Sequence, residues 1–358
     1  YLSQAVARLL WPGRAQIAVL TPFILLGFFF WMVYGTLTMF DIMLSFFALL
    51  GMYGLLRLTS DGLTLKGWAL LGFAIGGGVL TKGPVILLHL LPISLLVPWW
   101  RKLDQTSHKH SPESDGIASG NPQVPFSLQH WYGGLVLAIV MGAAIALSWA
   151  IPAAMAGGAA YQKAIFLGQT SGRVVDSFAH KLPAWWYLLS LPLLLMPWLL
   201  MKPFWQGICK LSLGDFGIRF CLAWLVPVFI AFSLISGKRI HYLLPIMPAL
   251  ALLLAWSIAQ VNEPKWQRIY TFYTVLLSLI GLALFLLPFL NALYHWLPEI
   301  PAHTCLWGLA LWLSAIGLRV LPVNSHQESV AYTCTGSIVA ALALAGVFFA
   351  MKWDRYDT

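Results

Sequence analysis

Residues 67–100, GWALLGFAIGGGVLTKGPVILLHLLPISLLVPWW, contain one formally charged side chain, Lys82, and one other titratable side chain, His89. The stretch is longer than a single tilted membrane-spanning helix needs. It suits two short helices that turn at Lys82-Gly83-Pro84, because proline is tolerated in the first turn of a helix. We therefore predict a helical hairpin within a membrane, with Lys82 at its turn and close to the membrane surface.

The whole chain has the composition of a membrane protein. Hydrophobic residues make up 60% of its 358 residues, charged residues make up 9%, and the mean hydropathy is +0.80. Lipid satisfies no backbone hydrogen bonds, so apolar stretches of this length must cross it as helices. We predict an all-α, polytopic integral membrane protein with about eleven transmembrane helices, at residues 15–35, 42–58, 67–81, 85–100, 131–152, 184–201, 218–235, 242–260, 270–289, 303–319 and 331–351.

The net charge is +9, and the lysine and arginine residues lie in short loops between the predicted helices. Positive residues concentrate in the cytoplasmic loops of membrane proteins, and this pattern favours the cytoplasmic (inner) membrane over binding to nucleic acid. If the helices alternate, one side of the membrane holds a large group of cations and is the cytoplasmic side: Arg8, Arg14, Arg57, Lys66, Arg101, Lys102, Lys109, Lys202, Lys210, Arg219, Lys265, Arg268 and Arg319.

We interpret residues 1–358 as one transmembrane domain with two long loops. Residues 101–130 have the composition of a flexible cytoplasmic loop. Residues 153–183 predict an outer-face loop with an interfacial helix, followed by an aromatic belt at Trp185, Trp186 and Tyr187. The four cysteines form no CxxC pair and are interpreted as small apolar residues, so no metal site is predicted: Cys209, Cys221, Cys305 and Cys334.

Several cations fall on the outer face, against the usual bias, and they indicate an anionic ligand there. They are Lys82, Arg173, Lys238 and Arg239. Arginine and lysine suit a phosphate group, and a lipid-linked phosphate at the outer leaflet fits this position. For Lys82 the alternative is a lysine that only extends to the membrane surface.

Asp41 opens a predicted helix on the same face. It either stabilises the helix start or acts as an acid at the mouth of a cavity. His180 is either a hydrogen-bonding residue or a base.

Four blocks of sequence carry a resemblance to a known family: FDIMLSFF from residue 40, GGGVLTKGP from residue 76, GRVVDSFAHKLPAWWYL from residue 172 and GKRIHYLLPIMPALALLLA from residue 237. In this order they resemble the polyprenyl-phosphate-sugar-dependent glycosyltransferases of the GT-C class. This class includes the lipid A aminoarabinose transferases and the protein O-mannosyltransferases.

The resemblance implies transfer of a sugar from a polyprenyl-phosphate donor to a lipid or protein acceptor at the periplasmic face of the inner membrane. It implies a catalytic role for Asp41, and it implies that seven residues bind the substrate: Lys82, Arg173, His180, Lys238, Arg239, His241 and Tyr242. No cofactor is certain, and dependence on a divalent metal is left open. The family pattern also leads us to expect that helices and an acidic first outer loop precede Tyr1, and that an outer domain can follow.

Two other classes of protein stay open at this point. A transporter or flippase for a lipid-linked or anionic substrate would also have many helices and intramembrane charges. A non-catalytic membrane scaffold would use the same charges as surface anchors. The scaffold hypothesis predicts that substitution of Asp41 or Lys82 has no effect on the cell envelope.

Overall fold

The computed structural model describes residues 1–37, 40–101, 126–163, 182–235, 237–261, 266–294, 300 and 302–353. These residues form an all-α, polytopic membrane fold. Its α-helices are α1 (Leu2–Leu10), α2 (Ala15–Gly27), α3 (Phe29–Thr36), α4 (Phe40–Ser60), α5 (Leu65–Lys82), α6 (Ile86–Leu95), α7 (Leu128–Lys163), α8 (Trp186–Leu194), α9 (Lys202–Ile208), α10 (Phe216–Leu234), α11 (Met247–Ala259), α12 (Trp266–Tyr294), α13 (Thr304–Val320) and α14 (His326–Trp353). Short 3-10 segments lie at Gly83–Val85, Trp198–Leu200 and Ile240–Ile246.

Small residues let α5 pack closely against α7. The sequence GFAIG places Gly72 and Gly76 four residues apart on one face of α5, opposite Ala138 and Gly142 of α7. A Cβ atom on Gly142 would lie 3.0 Å from the carbonyl oxygen of Gly72. Such spacing is typical of membrane helices whose backbones approach closely. Helix α5 is thereby held on one side by α7 and on the other by α4.

The predicted hairpin at Lys82 is present. Gly83 has a positive φ of 73°, and the Gly83–Val85 turn that begins there leads into α6. Helix α6 then runs back beside α4, since Leu90 packs over Gly51 in the middle of α4. At the far end the ring of Trp131 contacts Trp68 of α5 and donates a hydrogen bond to the carbonyl of Ser94 in α6.

The expected number of eleven membrane helices is not confirmed. Among the described residues, seven helical stretches are long and apolar enough to cross a membrane, with the two arms of the hairpin, Leu65–Leu95, counted together. The number is eight if the bent pair α2 and α3 is a single span. The predicted span at 184–201 is wrong, because α8 has only 9 residues and gives way to the Trp198–Leu200 turn. Helix α13, with 17 residues, is also short.

Two predicted loops fall largely on residues that the structure does not describe. Of the cytoplasmic loop at 101–130, residues 102–125 lie outside the described ranges. Of the outer loop at 153–183, residues 153–163 still belong to α7, which has a left-handed break at Gly158 with φ of 73°, and 164–181 lie outside the described ranges.

The chain packs as two compact units. The first comprises Tyr1–Ala18, Phe40–Leu188 and Leu211–Leu253, and it contains α4, α5, α6, α7 and α10. The second comprises Val19–Met39, Leu189–Lys210 and Leu254–Thr358. Within the second unit α12 and α13 pack closely, because Gly308 lies against the backbone of Phe285.

Candidate active site

Asp41 and Lys82 meet because α4 and α5 are antiparallel. Asp41 lies in the first turn of α4 and Lys82 in the last turn of α5, so the two ends come to the same place. The ammonium of Lys82 donates a hydrogen bond to Oδ1 of Asp41 and forms an ion pair with it. Only 4% of the Asp41 side chain is exposed, against 20% for Lys82. This pair is therefore a nearly buried charge pair that opens towards the surface on the lysine side.

The Ile240–Ile246 segment adds two rings to this pair. It packs on α4, and Nε2 of His241 lies 4.0 Å from Oδ2 of Asp41. The ammonium of Lys82 lies 4.7 Å from the centre of the Tyr242 ring, within the range of a cation–π interaction. We call Asp41, Lys82, His241 and Tyr242 the Asp41 cluster. Three distant segments of the chain thus bring together four of the residues that sequence analysis selected.

Lys238 and Arg239 are neighbours in sequence with different surroundings. The ammonium of Lys238 is buried and donates to the carbonyl oxygens of Leu182, at 3.0 Å, and Ile235. Burial lowers the pKa of Lys238 below its ordinary value. Arg239 is exposed. The lysine is therefore committed to backbone contacts, while Arg239 is accessible at the surface.

The remaining predicted site residues, Arg173 and His180, lie outside the described residues. Their proposed roles stay predictions. Among the residues that are described, no group of three His, Cys, Asp or Glu side chains is arranged to hold a metal ion.

Two residues near the cluster were not selected from the sequence as site residues. Tyr187 was predicted to lie in the aromatic belt, and this is wrong: its ring is fully buried, whereas Trp185 is 60% exposed. Its hydroxyl binds the backbone of Arg239. His89 is also fully buried, beside Phe232, and neither of its ring nitrogens has a hydrogen-bond partner within the described ranges.

The cluster can exchange partners. An anion that approaches Lys82 from its exposed side would compete with the Asp41 carboxylate for the ammonium. Once released, the carboxylate could accept a proton or a hydrogen bond from a bound hydroxyl, with His241 close by. These properties suit a phosphate-containing ligand and a reaction that moves a proton.

The comparisons with known proteins agree with the resemblance stated from sequence. Residues 2–157 match the family described as dolichyl-phosphate-mannose-protein mannosyltransferase. The undecaprenyl phosphate-alpha-4-amino-4-deoxy-L-arabinose arabinosyl transferase 2 of Pseudomonas fluorescens is 29% identical over 231 residues, covering 62% of this chain and 36% of that protein. The enzyme of the same name from Proteus mirabilis is 28% identical over 258 residues, covering 70% and 41%. The chain therefore spans less than half the length of these two relatives.

A solved structure shows the same fold. The crystal structure of ArnT from Cupriavidus metallidurans bound to undecaprenyl phosphate superposes with a TM-score of 0.68 at 18% identity, over 96% of this chain and 60% of that one. The apo structure of the same protein superposes with a TM-score of 0.66. The sequence comparisons thus confirm the resemblance to the GT-C glycosyltransferases, and the solved structures show that the fold is shared with ArnT.

Proposed function

We propose that this chain forms the membrane part of a glycosyltransferase. It transfers a sugar from a polyprenyl-phosphate-linked donor to a lipid acceptor of the lipid A type or to a protein. The reaction takes place at the outer, periplasmic face of the inner membrane, where the topology predicted from the positive residues places the Asp41 cluster.

One observation carries this proposal more than any other. A lysine, a carboxylate, an imidazole and a phenol from three separate segments meet at one end of the α4–α5 pair. Residues that only anchor helices at the membrane surface have no reason to meet in this way, whereas residues that bind one phosphorylated ligand must lie together. The similarity to aminoarabinose transferases and the fold shared with ArnT support the same conclusion.

The reaction breaks the bond between the anomeric carbon of the sugar and the donor phosphate oxygen. A bond forms between that carbon and an oxygen of the acceptor, and polyprenyl phosphate leaves with the electron pair. When the acceptor is a hydroxyl, its proton passes to a carboxylate. Negative charge grows on the leaving phosphate, so cations fixed beside it stabilise the transition state more than the ground state.

Individual residues take roles that their surroundings allow. Lys82 and Arg239 contact the phosphate, and Tyr242 lines the lipid-phosphate groove beside Lys82. Asp41 is first the partner of Lys82 and then, after the phosphate takes that lysine, orients or deprotonates the acceptor, with His241 beside it. Arg173 and His180 are proposed to join the site from the outer loop, and Lys238 to support it.

A transfer assay tests this proposal. Labelled sugar on a polyprenyl-phosphate donor is added to membranes that hold the full-length protein, its Lys82→Ala variant or its Asp41→Asn variant. We expect each variant to lose about 100-fold or more of its transfer rate at unchanged abundance, since removing one group that stabilises developing charge commonly costs that much.

The chain offers matched controls for both variants. Lys66 lies at the opposite, exposed end of α5, and Asp61 is exposed just after α4. Lys66→Ala and Asp61→Asn are expected to transfer within about twofold of wild type, as exposed surface changes usually have small effects. Full transfer by Lys82→Ala and Asp41→Asn would contradict the proposal. A wild-type protein that moves the intact lipid-linked sugar across the membrane without cleaving it would favour the transporter.

A further inference from the structure

A single hydroxyl group holds the backbone beside the Asp41 cluster. The hydroxyl of Tyr187 donates to the carbonyl oxygen of Arg239 at 3.1 Å and accepts from the N–H of the same residue at 3.2 Å. The ring that carries this hydroxyl is fully buried. Both backbone groups of Arg239 are thereby bound by a side chain 52 residues away.

Lys238 makes the same connection in the other direction. Its ammonium donates to the carbonyl of Leu182, five positions before Tyr187, and to that of Ile235 at the end of α10. Residues 182–187 and 235–239 are therefore tied together by two side chains, one from each segment. We call this pair of contacts the Tyr187–Lys238 clamp.

The clamp acts where the chain leaves α10 and enters the Ile240–Ile246 turn, and the carbonyl of Arg239 also accepts a hydrogen bond of that turn from the N–H of Tyr242 at 3.1 Å. Arg239 is extended, with φ of −139° and ψ of 141°, and lies between the end of α10 and the Ile240–Ile246 turn. The N–H of Arg239, at the start of this turn, has no helical acceptor and needs a partner from elsewhere. The Tyr187 hydroxyl accepts from this N–H and also donates to the Arg239 carbonyl. Arg239 lies two residues before His241 and three before Tyr242, so the hydroxyl fixes the backbone next to the Asp41 cluster.

We propose that Tyr187 is a positioning residue for the phosphate site. It fixes the backbone of Arg239 so that the exposed guanidinium points towards the ligand, and so that His241 and Tyr242 stay against Asp41 and Lys82. Lys238, whose ammonium is buried on two carbonyls, belongs to this support, and Arg239 is the member of the pair that contacts phosphate. This inference rests on the proposed function of the site.

The test compares Tyr187→Phe with wild type in the full-length protein. Phenylalanine keeps the buried ring and removes both hydrogen bonds. In the ligand-free protein, hydrogen exchange at the Arg239 amide should become at least about tenfold faster, because the amide loses its partner. The affinity for undecaprenyl phosphate should fall about three- to tenfold, as expected for a loss of one or two hydrogen bonds.

A matched control separates positioning from general loss of stability. Tyr273 is also buried, and its hydroxyl contacts the carbonyl of Thr333 at 3.1 Å and the hydroxyl of Ser337 at 2.9 Å, all in the other unit. Tyr273→Phe loses a comparable number of buried hydrogen bonds. It should leave both the affinity for undecaprenyl phosphate and the exchange at Arg239 within about twofold of wild type.

A double-mutant cycle identifies the route of the effect. If Tyr187 acts through Arg239, then Tyr187→Phe should weaken binding much less in an Arg239→Ala background than in wild type. Equal weakening in both backgrounds would overturn the proposal, as would unchanged exchange at Arg239 in Tyr187→Phe. If wild type itself fails to bind undecaprenyl phosphate, the proposed function and the phosphate role of Arg239 both fail, while the exchange rates still decide whether the clamp exists.

Discussion

Two cations inside the first unit are compensated in opposite ways. Lys82 pairs with the side chains of Asp41 and Tyr242. Arg219, in the first turn of α10, is fully buried and donates to three carbonyl oxygens: Trp100 at 3.0 Å, Leu213 at 2.7 Å and Gly214 at 2.9 Å. Lys82 is thus held by side chains that can rotate away, whereas Arg219 is held by backbone carbonyls that cannot.

This difference distinguishes a cation that can bind a ligand, Lys82, from a cation that stabilises the fold, Arg219. Backbone carbonyls have no other conformation available without unfolding the turn, so the charge of Arg219 is committed to joining Trp100 to the Leu213–Gly214 turn. A carboxylate can release its lysine when a better anion arrives, since the lysine keeps a counter-ion and the carboxylate of Asp41 still has His241 4.0 Å away. The same contrast holds between Lys238, which binds carbonyls, and the exposed Arg239.

The largest effect on stability is expected at Arg219. Arg219→Met would remove the donor from the buried carbonyl of Trp100 and from the part-buried carbonyls of Leu213 and Gly214, and a hydrogen bond from a charged group contributes about 1.5–3 kcal/mol. We therefore expect a loss of at least about 3 kcal/mol in the free energy of unfolding, measured by denaturation in lipid nanodiscs. The matched control is Arg8→Met, because Arg8 is exposed. An Arg219→Met variant as stable as Arg8→Met would show that the carbonyl contacts contribute nothing.

A smaller loss, with a rescue, is expected at the Asp41 cluster. Lys82→Met strands a nearly buried carboxylate, and because the lysine is partly exposed we expect a loss of about 1–3 kcal/mol. Adding Asp41→Asn removes the stranded charge, so the double variant should regain most of that stability while sugar transfer stays lost. The same denaturation curves check this prediction. If the second substitution lowers stability further, the pair is not an exchangeable charge pair.

The smallest effect is expected at His89. Its ring is buried without a hydrogen-bond partner among the described residues, so it represents a third kind of buried polar group, which no contact compensates. Leucine at this position would remove two unsatisfied atoms, and His89→Leu should change the free energy of unfolding by no more than about 1 kcal/mol in the unfavourable direction. A loss above about 3 kcal/mol would reveal a contact that stabilises the histidine.

Patterns within single segments predicted much of this architecture. The hairpin at Lys82 followed from an apolar stretch too long for one helix and from Gly83-Pro84 within it. Asp41 and Lys82 were expected to lie on the same side of the membrane, and the family resemblance added His241 and Tyr242 to the same site. Helix α8 was predicted too long, because apolar character alone does not show that the helix ends at Leu194, before Pro197.

Contacts between distant segments could not be predicted in this way. Nothing near Tyr187 in the sequence indicates that its hydroxyl binds residue 239, and a Trp-Trp-Tyr run is typical of a membrane interface. Lys238 and Arg239 are adjacent cations with equal formal charge, so only the fold distinguishes the buried one from the exposed one. Arg219 was placed among loop cations by its charge, while its burial depends on the carbonyl of Trp100.

The most direct test of the exchangeable cluster is the affinity of the full-length protein for undecaprenyl phosphate, measured for wild type, Lys82→Met and Asp41→Asn. If the phosphate takes Lys82 from Asp41, Lys82→Met should bind at least about tenfold more weakly. Asp41→Asn should bind as tightly as wild type or more tightly, since the competing carboxylate is gone, although it cannot transfer sugar. Unchanged binding by Lys82→Met, or equal weakening in both variants, would contradict the account.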